Sequence, residues 1–180
     1  MLIWAKQWFE SLGYRVLYGD TDSLFVSAGA DAARGAQMAA RLTQELTAYI
    51  SQRWRVESRL ELEFEKLYVK LFLPSVRHGV GGARKRYAGM RGNGEVEFVG
   101  MEVVRRDWTE LAKEVQRELY RRLFTAERVD QYLADVVARL RRGELDERLV
   151  YRKGLRKEVA AYTASTPPHV VAARKSSGPP

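Results

Sequence analysis

The sequence predicts an α+β fold, with an antiparallel sheet and one long helix in its first 106 residues and helices alone thereafter. Three observations carry this expectation. Short runs of β-branched and aromatic residues flank turn formers between residues 14 and 27, and apolar and acidic residues alternate through 61–65. An apolar stripe of helical period runs from Ala39 to Ile50. Beyond Asp107 two further stripes of that period follow without strand-like alternation. At 180 residues and 46% hydrophobic, the chain is long and apolar enough to bury a core.

Residues 2–12 read as an amphipathic helix closed by Gly13, with Trp4, Trp8 and Leu12 at helical spacing. Tyr14-Arg15-Val16-Leu17 and Leu24-Phe25-Val26 read as the arms of a hairpin, joined through Gly19, Asp20 and Ser23 as turn formers. Asp31 caps a helix reaching to about Trp54, buried along Ala39, Leu42, Leu46, Tyr49 and Ile50. Glu61 to Glu65 is a strand with Leu62 and Phe64 on one face, extended through Leu67–Leu73 to Pro74. A glycine-rich loop, His78 to Gly82, leads to Arg84–Met90; Arg91-Gly92-Asn93-Gly94 is a hairpin turn, and Glu95–Val99 returns.

Asp107-Trp108-Thr109-Glu110 reads as an acid-capped helix start with Glu110 at the reciprocal capping position. Trp108, Leu111, Val115, Leu119 and Leu123 then stripe one face, Trp108 belonging to the core. Thr125 caps the next helix, striped by Val129, Tyr132, Leu133, Val136, Val137 and Leu140 and ended by Gly143. The end, from Thr163, is rich in Pro, Ser and Ala, with the last five residues frayed.

Composition removes several kinds of chemistry. There is no cysteine, hence no disulfide, thiolate zinc site or cysteine nucleophile. The two histidines, His78 and His169, have no ligand-like spacing, so any metal site has oxygen ligands. Apolar runs fall far short of the roughly 20 residues a bilayer span needs, and Lys6 and Glu10 break any signal-peptide pattern. The expectation is a soluble cytoplasmic protein. Its net charge of +8 is uneven: Lys66 to Gly94 holds seven basic residues and no acidic one, and Arg141 to Pro180 nine basic against four acidic. Such blocks suit either a phosphate-backbone partner or an ordinary solubilising surface.

Tyr18-Gly19-Asp20-Thr21-Asp22-Ser23 sets two carboxylates one residue apart at the hairpin tip. On an extended strand Asp20 and Asp22 would share a face. Adjacent carboxylates repel, and a hard divalent cation relieves that cost. One reading is a Mg²⁺ site for phosphoryl chemistry; the other is a solvated acidic turn.

The hexapeptide resembles motif C of the family B DNA polymerases, and further landmarks follow in that family's order. Leu62-Glu63-Phe64-Glu65-Lys66 resembles the strand after the motif C helix, and Lys85-Arg86-Tyr87-Ala88-Gly89 the primer-contacting motif. Arg105-Arg106-Asp107-Trp108-Thr109 resembles the palm-to-thumb junction, and Val150–Lys153 and Pro167–Val170 resemble thumb segments. The resemblance spans nearly the whole chain. It implies a partial palm over 1–106, carrying motif C, and a thumb over 107–180, truncated and with a frayed tail. An exonuclease, the first palm aspartate and the fingers, which such enzymes carry, have no counterpart here. The expectation is thus the C-terminal palm-plus-thumb part of a bacterial enzyme of replication or repair, nucleoid-associated, as a truncated, split or excised chain.

By that resemblance Asp22 is the direct metal ligand and Asp20 a weaker or second neighbour, serving two Mg²⁺ ions in a completed site. Thr21 and Ser23 hold the turn. Glu63 and Glu65 offer either a third carboxylate or a solvated strand face. Lys85 and Arg86 suit primer phosphates or minor-groove edges, and Tyr87 packs either on a sugar or in the core. Arg148, Arg152, Lys153, Arg156 and Lys157 would follow duplex backbone without reading sequence. His169 has a local structural role. The implied partners are primer–template DNA, a deoxynucleoside triphosphate in the completed enzyme, and a second polypeptide with the remaining palm and fingers. The alternative is a duplex-DNA-binding remnant without chemistry, active in binding only.

Overall fold

The computed structural model describes residues 1–29, 31–75, 85–163 and 166–175. The glycine-rich stretch His78–Gly82 and the last five residues lie outside them. The chain divides into two compact units, Met1–Met101 and Glu102–Pro180.

The first unit is α+β. Helix α1 (Leu2–Ser11) ends before Gly13, whose φ of +81° is the left-handed conformation a helix terminus requires. Strands β1 (Arg15–Asp20) and β2 (Ser23–Ser27) form the expected hairpin. Its connection is shorter than the turn formers suggested: Asp20 pairs with Ser23, leaving only Thr21 and Asp22 between the strands. Thr21 takes the left-handed conformation at φ +48°, and the Asp22 amide donates to the Asp20 carbonyl at 2.5 Å. Val16 pairs with Val26 and Tyr18 with Phe25, so Leu17 is an extra residue that bulges the strand. Past the bulge, alternation puts Tyr18 and Asp20 on one face.

Helix α2 (Ala32–Trp54) begins as expected at Asp31, whose Oδ1 accepts from the amides of Ala33 and Arg34 at 2.9 and 3.3 Å. Leu42, Leu46 and Ile50 are its buried stripe. Ala5 and Phe9 of α1 form a core with Leu42, sealed by Trp4, Trp8, Tyr14, Val16, Leu24 and Leu62. Two helices thus back the hairpin and fix its orientation.

Leu62 and Phe64 are half-buried between exposed Glu61, Glu63 and Glu65, as alternation requires, yet among the described residues the segment pairs with no strand. Its Leu62 amide donates instead to the Thr43 hydroxyl of α2 at 3.0 Å. The Phe64 ring lies where a Cβ on Gly35 would sit, 2.4 Å away, so glycine at 35 lets the segment lie on the helix. The strand expected over 61–73 is therefore only β3 (Lys70–Phe72). It heads a separate antiparallel sheet, β3-β4-β5, with β4 (Tyr87–Met90) and β5 (Val96–Val99) joined by the expected turn at 91–94. Among the described residues two small sheets stand where one is expected.

The second unit is helical. A short 3₁₀ turn (Glu102–Val104) is tied to α3 (Glu110–Thr125) by Gln116, which accepts from the Val103 amide at 2.7 Å and donates to Glu102 at 3.0 Å. Thr109, not Asp107, caps α3, accepting from the Ala112 amide at 3.3 Å. Asp107 is occupied by Arg105, which donates twice to it at 2.9 and 2.6 Å. Trp108 is 40% exposed rather than core, and Tyr120 and Phe124 are buried where Leu123 was expected. Thr125 belongs to the last turn of α3, donating to the Arg121 carbonyl at 3.0 Å, so it does not cap α4 (Asp130–Arg141). Gly143 at φ +77° follows α4 as expected, but Leu133, Val137 and Leu140 remain substantially exposed. Among the described residues, no helix is long and apolar enough to cross a membrane.

Candidate functional site

Within the first unit the fold brings the hairpin tip to the start of β4. Asp20 is the more sheltered of the two acids: its side chain is 26% exposed, with Oδ2 3.7 Å from the Lys85 ammonium. Asp22 is exposed at the tip. Thr21 donates to Asp20 Oδ1 and Ser23 to Asp22 Oδ1, both at 3.2 Å, so each hydroxyl braces the neighbouring carboxylate. Because Asp22 lies in the turn and Asp20 ends a strand, the shared-face argument of an extended chain does not apply to the pair.

Lys85 approaches through its backbone as well. Its amide donates to the Tyr18 phenol oxygen at 2.7 Å, across 67 positions of sequence. Arg86 is half-buried. Tyr87 joins an aromatic cluster: its ring meets Phe25 edge-on at 5.0 Å and Tyr68 at 6.1 Å, while Tyr18 and Tyr68 also contact Phe25 at 5.6 and 6.3 Å. These contacts place the Tyr87 ring in the packing of the first unit.

Behind the cluster, Glu97 of β5 accepts from the Tyr68 hydroxyl at 2.6 Å and Lys66 at 3.3 Å, and pairs with Arg91. The Tyr68 bond, together with Lys66 and Arg91, holds the Glu97 carboxyl below its ordinary range. Burial, reinforced by Glu97, pushes the Tyr68 phenol well above its own. Tyr68 therefore stays neutral and donates at any ordinary pH.

The hairpin's donors are carboxylate oxygens, the chemistry a hard divalent cation prefers, and an ammonium already stands beside one of them. Asp20 and Asp22 would hold such an ion. Two carboxylates leave it largely hydrated, and the described residues contain no group of three or more His, Cys, Asp or Glu able to hold a metal. Glu63 is exposed, and Glu65 pairs with Lys66 at 2.9 Å, which fits a solvated face.

The second unit carries the other basic candidates. Arg152, Lys153, Arg156 and Lys157 are exposed along the segment between two 3₁₀ turns, Asp146–Leu149 and Val159–Ala161. Arg148 is paired with Glu114, and the Lys157 ammonium lies 4.7 Å above the Tyr162 ring. The Tyr162 hydroxyl accepts from the Arg156 amide at 3.0 Å. His169 is half-buried in the first turn of α5 (Pro168–Lys175).

Residues 4–178 match the family model described as DNA polymerase family B, and the chain belongs to that family. It is 41% identical to DNA polymerase II of Escherichia coli (strain K12) over 94% of this chain and 23% of that protein. It is 34% identical to the DNA polymerase of Archaeoglobus fulgidus over 93% of this chain and 19% of the relative, and 34% identical to DNA polymerase 2 of Aeropyrum pernix over 90% and 18%. The chain thus spans less than a quarter of the length of these relatives.

Proposed function

We infer that the chain carries the motif C carboxylates and part of the DNA-gripping surface of a DNA-directed DNA polymerase, the first unit acting within a palm and the second as thumb. The observation that carries this reading is the meeting of Asp20 and Lys85, 3.7 Å apart, at the tip of an acidic hairpin. A site that joins a primer 3′ oxygen to a nucleoside triphosphate needs carboxylates for cations and a positive group for the primer backbone within a few ångströms. Mg²⁺, when bound, would stabilise charge on the attacking oxygen and the leaving pyrophosphate. Asp22, exposed at the tip, would be the direct ligand. Asp20, engaged by Thr21 and Lys85, is its weaker neighbour, and Lys85 and Arg86 hold the primer strand.

Two carboxylates do not make a two-metal site, so the 180-residue chain alone is expected to incorporate no nucleotide. It needs the remaining palm and fingers, in the same or a second polypeptide. The test is a chimera in which this chain replaces its matching part of E. coli DNA polymerase II. Primer extension should be restored, and Asp22→Ala should cost more than the roughly 10- to 100-fold loss expected for Asp20→Ala as a supporting neighbour. A worse defect for Asp20→Ala would show the roles reversed, and equal defects would overturn the distinction between them. Extension by the chain alone that Asp22→Ala removes would overturn that expectation. A chimera that binds duplex but never extends would favour a binding module without chemistry.

A further inference from the structure

Lys85 holds a backbone conformation that side-chain-bearing residues rarely adopt, with φ at +55°. Strain of this kind persists only where the surroundings over-determine it. Lys85 is held at its amide and closely approached at its carbonyl. The Tyr18 phenol oxygen accepts from its amide at 2.7 Å. On the other end Gly100, itself at φ +61°, lies so close that a Cβ there would be 1.9 Å from the Lys85 carbonyl oxygen. Tyr18 is in turn fixed by its strand and by the Phe25 ring, 5.6 Å away.

The side chain these contacts aim is 69% exposed, and its ion pair with Asp20 spans 3.7 Å. An exposed pair at that distance adds little stability, so the pair does not account for a clamped, strained backbone. The main-chain contacts fix where the side chain leaves the backbone, and the ammonium it carries stands beside the acidic tip and still faces solvent. We propose that Tyr18 is a positioning residue for primer-strand binding, its phenol oxygen holding the Lys85 main chain so that the ammonium meets a backbone phosphate next to the carboxylates. This rests on the polymerase reading above.

A double-mutant cycle separates positioning from general stability. Binding of a fluorescein-labelled primer–template duplex is followed by anisotropy across a salt series for the unmodified chain, Tyr18→Phe, Lys85→Ala and the double variant. Lys85→Ala should weaken binding and lower the salt slope by about 0.9. Tyr18→Phe, which removes one hydrogen bond and little volume, should weaken binding about three- to tenfold. In the Lys85→Ala background Tyr18→Phe should have no further effect, because the group it positions is gone. Hydrogen exchange at the Lys85 amide of the unmodified chain serves if Tyr18→Phe fails to fold: protection is expected from the bond to the phenol oxygen, and exchange as fast as at an open amide overturns the inference. A Tyr18→Phe loss of equal size in both backgrounds, or no loss, overturns the inference while leaving duplex binding intact. Salt-insensitive binding, or none, defeats the polymerase reading and the inference with it.

Discussion

Tyr68 shows how single residues set the geometry behind the hairpin. Its ring lies where a Cβ on Gly89 would come within 2.4 Å of Cδ1, its hydroxyl is held by Glu97, and its face is parallel to Phe25. The ring is fixed on three sides and cannot yield to a methyl group. Gly89→Ala is therefore expected to destabilise the first unit by about 1–3 kcal/mol, the cost of overpacking, measurable by urea denaturation. A variant as stable as the parent would mean that the ring swings aside and that the cluster is loosely held. The sequence shows Gly89 beside a motif, but the ring beneath it comes from 21 positions upstream, and local pattern does not register such packing. The same holds at the site itself. The acidic pair and Lys85 can be read from residue type and order, whereas the Tyr18 phenol that joins them is visible only once the chain has folded.

Among the elements, those defined by local chemistry were legible: α2 by its Asp31 cap and apolar stripe, α1 by Gly13, and the 91–94 turn by glycines. Local pattern misleads where a side chain has a competing partner. Asp107 reads as a cap, yet Arg105 holds its carboxylate, and Thr125 reads as another, yet α3 runs on through it. Alternation at 61–65 indicated extended chain correctly but could not name its neighbour, which is Thr43 rather than a strand. Thr109→Ala should accordingly cost α3 about 1 kcal/mol, and Asp107→Ala much less, in thermal melts followed by circular dichroism. The other end of α3 makes a pH prediction. Arg121 and Thr125 hold the Glu127 carboxyl down to about 2 from 4.5, and Arg121, with Arg122, lowers Glu118 as well. A depressed carboxyl stabilises the fold above its unfolded value, and that contribution is lost as pH falls from about 4.5 towards 2. Being exposed, the network is weak and screened by salt. Glu127→Gln should narrow the melting difference between pH 7 and pH 3, as should 1 M salt in the parent; an unchanged difference in both would exclude the network as a source of acid sensitivity.

For the molecule as a whole, charge and its placement decide how DNA would be held. The net charge of +8 is what the sequence offers; which cations are available is a structural matter. Arg148 is neutralised locally by Glu114, and Lys157 rests over Tyr162; Arg152, Lys153 and Arg156 are, like Lys157, exposed. Each cation that neutralises a phosphate releases counterions and contributes about −0.9 to the slope of log affinity against log salt. Arg152→Ala and Lys153→Ala should thus each flatten the slope by nearly that amount. Arg148→Ala should change it little, because removing the arginine also frees the Glu114 carboxylate. Backbone contacts carry no base identity, so every loss should be the same on unrelated duplexes of equal length. Anisotropy titrations between low and moderate salt on two such duplexes measure both quantities. If these charges served only solubility, none of the substitutions would move the slope. A strong preference for one duplex would require base-edge contacts, for which exposed cations on long stems along a segment without helix or strand are poorly suited.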